Sequence, residues 1–235
     1  AQMARVIRLT HSLNPAQHTA LARCVQIMTE GMVHFQQHSS LAGLKDMAEL
    51  DHYCYVVAGV VGEMLTDLFC DYSPKIAKHE TELRTLAVAF GQGLQMTNIL
   101  KDIWDDRKRG MCWLPQTVFD KVGFKLTELS PEQQRGEFTE GLMQLIHITR
   151  LHLADALRYV LLIPCREQGI RRFCLWALGM ALLTLRKIHA HPLFTDGQQV
   201  KISRRTVKLT IVTSNLAGYS NSALQSLFYL LARRL

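Results

Sequence analysis

Apolar residues recur every three or four positions along most of this chain, and this spacing is typical of amphipathic α-helices. No segment keeps the strict alternation of apolar and polar residues that marks a half-buried β-strand. The spacing predicts six helices, at Pro15–His38, Leu50–Phe69, Glu80–Arg107, Pro131–Ile163, Gln168–Ala190 and Ser203–Ala232. Because several of these helices are long and apolar on more than one face, the sequence predicts an all-α bundle around a central core or cavity.

Turn-forming residues separate the predicted helices at 42–43, 72–74, 109–115, 129–131, 163–164 and 191–197. Ser130, Pro131 and Gln133 together match an N-cap, a first-turn proline and a glutamine at the third helical position. We therefore expect the fourth helix to begin at Pro131. No internal repeat or low-complexity linker divides the 235 residues, so one helical domain is the simplest prediction.

The chain carries a net charge of +7, with basic clusters at 107–109, 171–172, 201–208 and 233–234. These clusters lack interleaved aromatic residues and no nucleic-acid-binding motif is present, so we expect no nucleic-acid partner. A small anionic substrate or an anionic membrane surface fits the charge better. The last predicted helix, with Phe228 to Leu231 followed by two arginines, fits either a peripheral membrane contact or the last packed helix of a bundle.

Compartment signals are weak. No run of about 18 uninterrupted apolar residues is present, so we expect no transmembrane segment. The six cysteines form no CxxC pair, which favours reduced thiols and a cytoplasmic protein.

The histidine pairs His34/His38 and His189/His191 have no carboxylate placed to complete a zinc site, so we expect structural or surface roles for them. The chain opens on Ala1 rather than Met, which suggests a piece of a longer protein.

Residues 95–115 hold the strongest candidate chemistry. At 100° per residue, Asp102 lies about 40° and Asp106 about 80° around the helix from Asn98, so the three side chains share one face. Gln95 lies about 60° the other way, at the edge of the same stripe. Amide and carboxylate oxygens are ligands that Mg²⁺ accepts, usually together with substrate phosphates. The stripe therefore predicts a site for Mg²⁺ and a diphosphate.

Two alternatives stay open at this point. Asp105 is about 20° from Asn98, so helix geometry alone cannot choose between Asp105 and Asp106. A purely structural alternative is an acidic surface paired with its neighbouring cations, Lys101, Arg107 and Lys108. The apolar residues just before Asn98 argue against a fully solvated face, because carboxylates next to buried surface need a partner.

A second stretch, residues 51–64, places Ala58, Gly59 and Gly62 inside a helical pattern. Each glycine there costs about 1 kcal/mol relative to alanine. Such a cost fits the close approach of another helix, and it fits contact with a ligand equally well.

Together these two stretches resemble the squalene/phytoene synthase family of head-to-head prenyl synthases. Residues 53–62 (YCYVVAGVVG) are similar to the family's YCxxVAGxVG helix, and residues 95–106 (QMTNILKDIWDD) to its QxTNIxRDxxED helix, the second aspartate-rich motif. Trp113-Leu114-Pro115 fits the segment that follows. Arg172-Phe173-Cys174 and Val200-Lys201-Ile202 resemble elements typical of squalene synthases. The resemblance covers essentially the whole chain, and the two central motifs are specific in combination.

The resemblance implies an isoprenoid-synthase fold and a farnesyl-diphosphate farnesyltransferase. Two molecules of farnesyl diphosphate would condense to presqualene diphosphate, with Mg²⁺ assisting the loss of diphosphate, and NADPH would then reduce the intermediate to squalene. The close alternative is a dehydrosqualene or phytoene synthase, which omits the reductive step.

The resemblance also implies roles for individual residues. Tyr53, Asp102 and Asp106 are the expected catalytic residues, with Tyr53 as a proton acceptor or a cation stabiliser. Asn98, Asp102 and Asp106, rather than Asp105, are the expected Mg²⁺ ligands. The expected substrate-binding residues are Gln95, Asn98, Lys101, Arg107, Val57, Val61, Leu65, Leu94 and Phe173. The expected NADPH-binding residues are Lys201 and Arg204.

The chain departs from the family pattern in three ways. Lys101 replaces an arginine, which keeps the charge but loses the bidentate geometry. Ser203 stands where squalene synthases tend to have arginine, which weakens the NADPH assignment. The family's first aspartate-rich motif, DxxxD, should lie upstream of Thr10 and is missing there. We therefore expect the C-terminal portion of a prenyl synthase, inactive without its N-terminal helices. The alternative of another class is a non-catalytic protein that binds prenyl lipids or a partner.

Overall fold

The computed structural model describes residues 2–133, 136–233 and 235, and these residues form a helical bundle. The α-helices are α1 (Gln2–His11), α2 (Pro15–His38), α3 (Met47–Cys54), α4 (Val60–Tyr72), α5 (Pro74–Ala77), α6 (Glu80–Lys108), α7 (Gln116–Asp120), α8 (Gly136–Leu162), α9 (Gln168–Ala190), α10 (Gly197–Val200), α11 (Arg204–Ala217) and α12 (Asn221–Ala232). One π-helical turn, Tyr55–Gly59, joins α3 to α4, and 3₁₀ turns occupy Leu126–Glu128 and Pro131–Gln133. The predicted all-α class is confirmed.

Two helices have the predicted bounds, Pro15–His38 and Gln168–Ala190. The first begins sharply because Asn14 and Gln17 form a capping box, in which the Gln17 backbone N–H donates to the Asn14 side chain at 2.9 Å. α1, which buries none of its residues, was not among the predicted helices.

Three of the predicted helices differ in extent or continuity from the observed ones. The fourth long helix does not begin at Pro131, because Pro131–Gln133 forms a 3₁₀ turn and α8 begins at Gly136. The predicted helix Ser203–Ala232 is two helices, since the Ser220 hydroxyl accepts a hydrogen bond from the Ala223 backbone and starts a new one. The predicted helix Leu50–Phe69 extends at both ends and contains the π-helical turn, which periodicity cannot distinguish from regular helix.

Helix α6 is the centre of the bundle and packs against α4, α8, α9 and the π-helical turn. Its buried residues include Leu83, Phe90, Met96 and Leu100, which recur at helical spacing along its whole length. The stripe that begins at Asn98 therefore lies on the central helix, next to core surface.

Two glycines allow α6 to approach the α4 segment at backbone distance. A Cβ atom on Gly62 would lie 2.4 Å from the Ala87 carbonyl oxygen, and one on Gly91 would lie 2.5 Å from the Ala58 carbonyl oxygen. Real Cβ atoms do not come that close to other atoms. Close helix packing therefore explains why position 62 is a glycine, although glycine lowers the stability of a helix.

A buried arginine ties the C-terminal helices to the rest of the bundle. Arg171 is 0% exposed and donates hydrogen bonds to the carbonyls of Val160, Ile163 and Gly218 and to the side chain of Asn221. A buried cation is tolerated only when its donors are satisfied, so these bonds join α8, α9 and the α11–α12 turn. The basic cluster at 171–172 is thus partly structural.

Two helical segments in the described part of the chain are long and apolar enough to cross a membrane by length and composition, Met47–Tyr72 and Gln168–Ala190. Both contain charged residues and bury part of their surface against other helices of the bundle. Composition alone is weak evidence for a span, because core helices of water-soluble proteins pass the same test. The six cysteines are all free thiols in this structure.

We expect Gly91→Ala to destabilise the fold by about 1–3 kcal/mol, because the added methyl group would overlap backbone atoms of the neighbouring helix, which have no room to move. The measurement is the free energy of unfolding in urea. Gly169→Ala is the matched control, since a Cβ there meets nothing within 4 Å and alanine is the better helix former. Equal stability of the two variants would contradict the packing argument.

Candidate functional site

The predicted polar stripe forms one wall on α6. Lys101 lies within it, with its Nζ atom 3.4 Å from the Asn98 Oδ1 atom and 3.2 Å from the Asp102 Oδ2 atom. The lysine is therefore the cation that neutralises this wall in the absence of a ligand's charge. Amides, carboxylates and ammonium groups are the kinds of side chain that bind divalent cations and diphosphates.

Asp106 is the most perturbed carboxylate of the wall. Burial and, to a smaller extent, the negative charge of Asp102 raise its pKa to about 6, while Arg109 acts in the opposite direction. The Arg109 guanidinium is 3.8 Å away, too far for a strong compensating pair. Two carboxylates that repel each other beside a buried surface are a site at which a metal cation is favourable.

The structure separates Asp105 from Asp106, which helix geometry could not do. The Asp105 side chain is 42% exposed and pairs with Lys108 at 3.3 Å, whereas the Asp106 side chain is only 16% exposed. Asp106 faces a small gap beside Trp113 and Cys112. This inward position supports the assignment of Asp106 as a metal ligand, which stays a prediction.

Tyr53 lies opposite this wall in an aromatic cluster. Its ring stacks on Trp113 with centroids 4.3 Å apart and planes 7° apart, and Phe35 meets it edge-on at 5.1 Å. Trp113 is held there because the next residues form a β-bridge to the preceding loop, in which the Leu44 N–H donates to the Leu114 carbonyl at 2.9 Å. The sequence had flagged Trp113 only as part of a motif, and the stack shows why an aromatic residue stands there.

The Tyr53 hydroxyl keeps its proton near neutral pH. Burial and the negative charge of Asp106 raise its pKa to about 12, and a hydrogen bond from the Gln95 side chain lowers it slightly. A neutral phenol beside an aromatic stack is suited to stabilising a cation or donating a proton. Of the two roles expected for Tyr53, these surroundings favour that of cation stabiliser over that of proton acceptor.

An apolar cavity of about 320 Å³ begins at this wall and runs between α4, α6, α8 and α9. Five of its lining residues were predicted to bind substrate: Val57, Val61, Leu65, Leu94 and Phe173. Gln95 and Asn98 lie at its polar end. Further lining residues were not predicted, because their helical spacing is that of ordinary core positions: Phe69, Phe90, Tyr159, Cys174 and Ala177.

The one hydroxyl group of a cavity-lining tyrosine is satisfied by a buried threonine next to the cavity. The Tyr159 hydroxyl is 2.9 Å from the Thr66 hydroxyl, and the Tyr159 ring meets Phe90 edge-on at 5.7 Å. Because these two hydroxyls form a hydrogen bond with each other, neither needs a water molecule in the cavity as its partner. A space of this kind accepts an apolar chain whose charged end stays at the Asn98 end.

Three of the residues predicted for the site belong neither to the polar wall nor to the cavity lining. Arg107 donates a hydrogen bond to the Leu126 carbonyl at 3.0 Å and so holds the 3₁₀ turn between α7 and α8. Lys201 and Arg204 are exposed. The segment that carries them nevertheless lies at the same end of the bundle, because a Cβ atom on Gly197 would be 3.0 Å from the Lys101 carbonyl oxygen.

One DxxxD spacing was overlooked in the sequence, at Asp67 and Asp71 on α4. It does not replace the missing motif. Asp67 forms ion pairs with Arg23 and Arg84, and Asp71 accepts hydrogen bonds from the side chains of Asn14 and Gln17. The two aspartates, together with Arg23 and Arg84, line a separate polar cleft that shares no lining residue with the apolar cavity. In the described residues no three His, Cys, Asp or Glu side chains meet in a way that could hold a metal ion.

Comparisons with known proteins agree with this arrangement. A family model described as squalene/phytoene synthase matches residues 1–206. A squalene synthase from Cyberlindnera jadinii is 28% identical over 218 residues, which is 91% of this chain and 48% of that protein. Squalene synthase R6 from Phoma sp. is 31% identical over 182 residues, 76% of this chain and 42% of that protein. The chain thus spans about half the length of the curated relatives it matches.

Solved structures show the same fold. The complex of TcSQS with the ligand E5700 superposes with a TM-score of 0.72 at 20% identity, covering 96% of this chain and 64% of that one. A dehydrosqualene synthase in complex with a ligand superposes with a TM-score of 0.63 at 21% identity, covering 82% of this chain and 63% of that one.

The raised pKa of Asp106 predicts a pH dependence of stability. A carboxyl group whose folded pKa lies above its unfolded value of 3.8 stabilises the fold when protonated, and this contribution is lost as pH rises through about 6. Asp106→Asn should therefore be more stable than the wild type at pH 7, by about 1–2 kcal/mol. Its advantage should shrink by about 1 kcal/mol at pH 5.

The measurement is urea unfolding at both pH values without divalent cations. Asp120→Asn is the control, since its exposed side chain on α7 should change stability by less than about 0.5 kcal/mol at either pH. An Asp106→Asn advantage that is the same at pH 5 and pH 7 would contradict the assigned cause.

Proposed function

Because the chain belongs to the squalene/phytoene synthase family, we propose that it is part of a prenyltransferase that joins two molecules of farnesyl diphosphate head to head. The observation that carries the proposal is the apolar cavity that ends at a wall of oxygen ligands and a lysine. The product proposed is squalene, formed through presqualene diphosphate and reduction by NADPH.

The proposed chemistry divides between the two parts of the site. Asn98, Asp102 and Asp106 would hold Mg²⁺, which when bound neutralises charge on the departing diphosphate. When Mg²⁺ neutralises part of the carboxylates' charge, Lys101 would be free to contact the same diphosphate. Tyr53, stacked on Trp113, would face the cationic carbon skeleton with an electron-rich ring.

The cavity lining supplies the remaining requirement. Val57, Val61, Leu65 and Leu94 carry no polar side-chain atoms, so a prenyl chain among them is shielded from water. A carbocation formed at the polar end would then meet no water that could quench it. The apolar lining would thus shield the carbocation from water, while the α6 wall would stabilise the departing diphosphate.

We also propose that this wall is half of a metal site. The stripe offers two carboxylates and one amide, whereas a diphosphate with its cations is usually held from more than one side. The facing carboxylates would lie on N-terminal helices of a longer protein, and without them the present chain would be inactive. That longer protein would be cytoplasmic with a peripheral membrane contact.

Two alternatives are decided by experiment. A dehydrosqualene or phytoene synthase would use the same wall and cavity without NADPH. This alternative stays open because Lys201 and Arg204 are exposed and Ser203 lies between Lys201 and α11. A non-catalytic prenyl-lipid-binding protein would bind farnesyl diphosphate without turnover.

We expect Asp102→Ala in the natural-length protein to lower Mg²⁺-dependent turnover of farnesyl diphosphate by about 10²–10³-fold, because the diphosphate loses charge stabilisation as it departs. The measurement is release of diphosphate from purified protein at saturating Mg²⁺. Asp120→Ala, at an exposed carboxylate of α7, is the control and should leave turnover unchanged. Equal turnover rates for the wild type and Asp102→Ala would contradict the proposed function.

The product made with and without NADPH tests the reductive step. We expect presqualene diphosphate to accumulate without NADPH and squalene to form when it is added, with chromatography of the extracted lipids as the measurement. Dehydrosqualene or phytoene in both reactions would show that the reductive step is absent. Binding of farnesyl diphosphate with no product in either reaction would favour the non-catalytic alternative.

A further inference from the structure

A parallel β-bridge between Leu44 and Pro115 joins the loop before α3 to the loop after α6. The Leu44 N–H donates to the Leu114 carbonyl at 2.9 Å, and the Gln116 N–H donates to the Leu44 carbonyl at 2.7 Å. The Gln116 side chain adds a third hydrogen bond, at 3.2 Å, to the Gly43 carbonyl. The bridge therefore fixes the segment that leads into α3 against the segment that leaves α6.

The bridge requires a glycine at position 43. Gly43 has a φ of 89°, in the left-handed region that other residues rarely adopt. A Cβ atom there would overlap the Leu114 carbonyl oxygen and would lie 2.7 Å from the Leu126 Cδ1 atom. That same oxygen accepts the Leu44 N–H, so a side chain at position 43 would break the bridge.

The bridge brings the residue just before it, Trp113, onto the ring of Tyr53. Trp113 is buried, and the two rings stack with centroids 4.3 Å apart and planes 7° apart. Phe35 of α2 meets the Tyr53 ring edge-on at 5.1 Å. The tyrosine ring is therefore held on one face and at one edge by residues from two other parts of the chain.

The Trp113 contact is made by the indole ring and not by its N–H group. The Trp104 and Trp176 indoles both donate hydrogen bonds, at 2.6 and 3.0 Å. Within the part of the chain that the structure describes, no group accepts a hydrogen bond from the Trp113 indole. Position 113 therefore supplies a flat aromatic face, which phenylalanine also has and an aliphatic residue lacks.

The Tyr53 ring lies at the polar end of the cavity. Its hydroxyl accepts a hydrogen bond from Gln95, which lines that end, and Val57 one turn further along lines the cavity wall. Attraction between an aromatic ring and a cation depends on the position of the charge over the ring face. Because an error of about 1 Å in the placement of a reacting group can lower a rate about 100-fold, the residue that fixes this ring affects the rate.

We propose that Trp113 is a positioning residue for Tyr53, seated by the bridge at Gly43, and that it acts on turnover only through the orientation of the tyrosine ring. Its effect on turnover rests on the proposed function, whereas its effect on the ring is measurable without substrate. The competing explanation is that Trp113 only fills the core. The stacked rings of Phe119 and Phe138, 5.3 Å apart and absent from the cavity lining, are an example of such filling.

The first test is the steady-state kinetics of the natural-length protein with farnesyl diphosphate and Mg²⁺. We expect Trp113→Leu to lower kcat by about 10–100-fold with KM within about twofold, because a group that acts in the transition state is misplaced. Trp113→Phe should keep kcat within about threefold of the wild type, since a phenyl ring can still stack. Phe138→Leu is the matched control, because it removes a buried stacked ring and should lower stability without changing kcat.

A double-mutant cycle separates positioning from core filling. If Trp113 acts through Tyr53, then Trp113→Leu should lower kcat by less than about threefold in a protein that already carries Tyr53→Leu. The same loss in both backgrounds would contradict the proposal.

The second test needs no substrate. 3-Fluorotyrosine is incorporated at position 53, and its ¹⁹F signal is compared between the folded and the urea-unfolded protein. We expect the stacked indole to shift the folded signal, and we expect Trp113→Leu to remove most of this shift while Phe138→Leu keeps it. Gly43→Ala should also reduce the shift, although it retains every aromatic ring, because it breaks the bridge.

Three outcomes overturn the proposal: an unchanged ¹⁹F signal in Trp113→Leu, a wild-type kcat in Trp113→Leu, and an equal loss of kcat in Phe138→Leu. The unfolding midpoint shows whether each variant folds, and Trp113→Met replaces a Trp113→Leu variant that does not. A wild-type protein without turnover contradicts the proposed function. In that case the ¹⁹F signal still decides whether Trp113 fixes the Tyr53 ring.

Discussion

The structure depends on the backbone contact between α6 and the α4 segment. At Gly62 and Gly91 the two helices meet with no side chain between them, since a Cβ atom at either position would overlap a carbonyl of the other helix. This contact fixes the distance between the segment that carries Tyr53 and the helix that carries Asp106. An added methyl group at either position would overlap that backbone and force the two helices apart.

The same contact explains why polar and apolar chemistry share one space. α6 places core residues along most of its length and carries the polar stripe in its last three turns, from Asn98 onward. The cavity therefore has Gln95 and Asn98 at its polar end and is otherwise mostly apolar, and the Tyr159 hydroxyl in its lining is satisfied by Thr66. The perturbed pKa values of Asp106 and Tyr53 follow from this geometry, because both groups lie where burial and negative charge meet.

α11 shows the opposite use of the same packing rules. The core is already closed by α9, and α11 packs on that helix through Thr210 and Ser214 rather than through its leucines. Because Arg171 donates a hydrogen bond to the Gly218 carbonyl, the turn after α11 is held against α9.

The sequence by itself determined the helical class, most helix positions and the stripe from Asn98 to Asp106, because a period of 3.6 residues and the chemistry of oxygen ligands are local properties. It could not choose Asp106 over Asp105 by geometry, find the stack of Tyr53 on Trp113, or recognise that Arg107 turns away to a loop. Those facts depend on which segments meet after long loops close. Tertiary structure alone decided them, since burial and the distance between side chains remote in sequence exist only once the helices have packed.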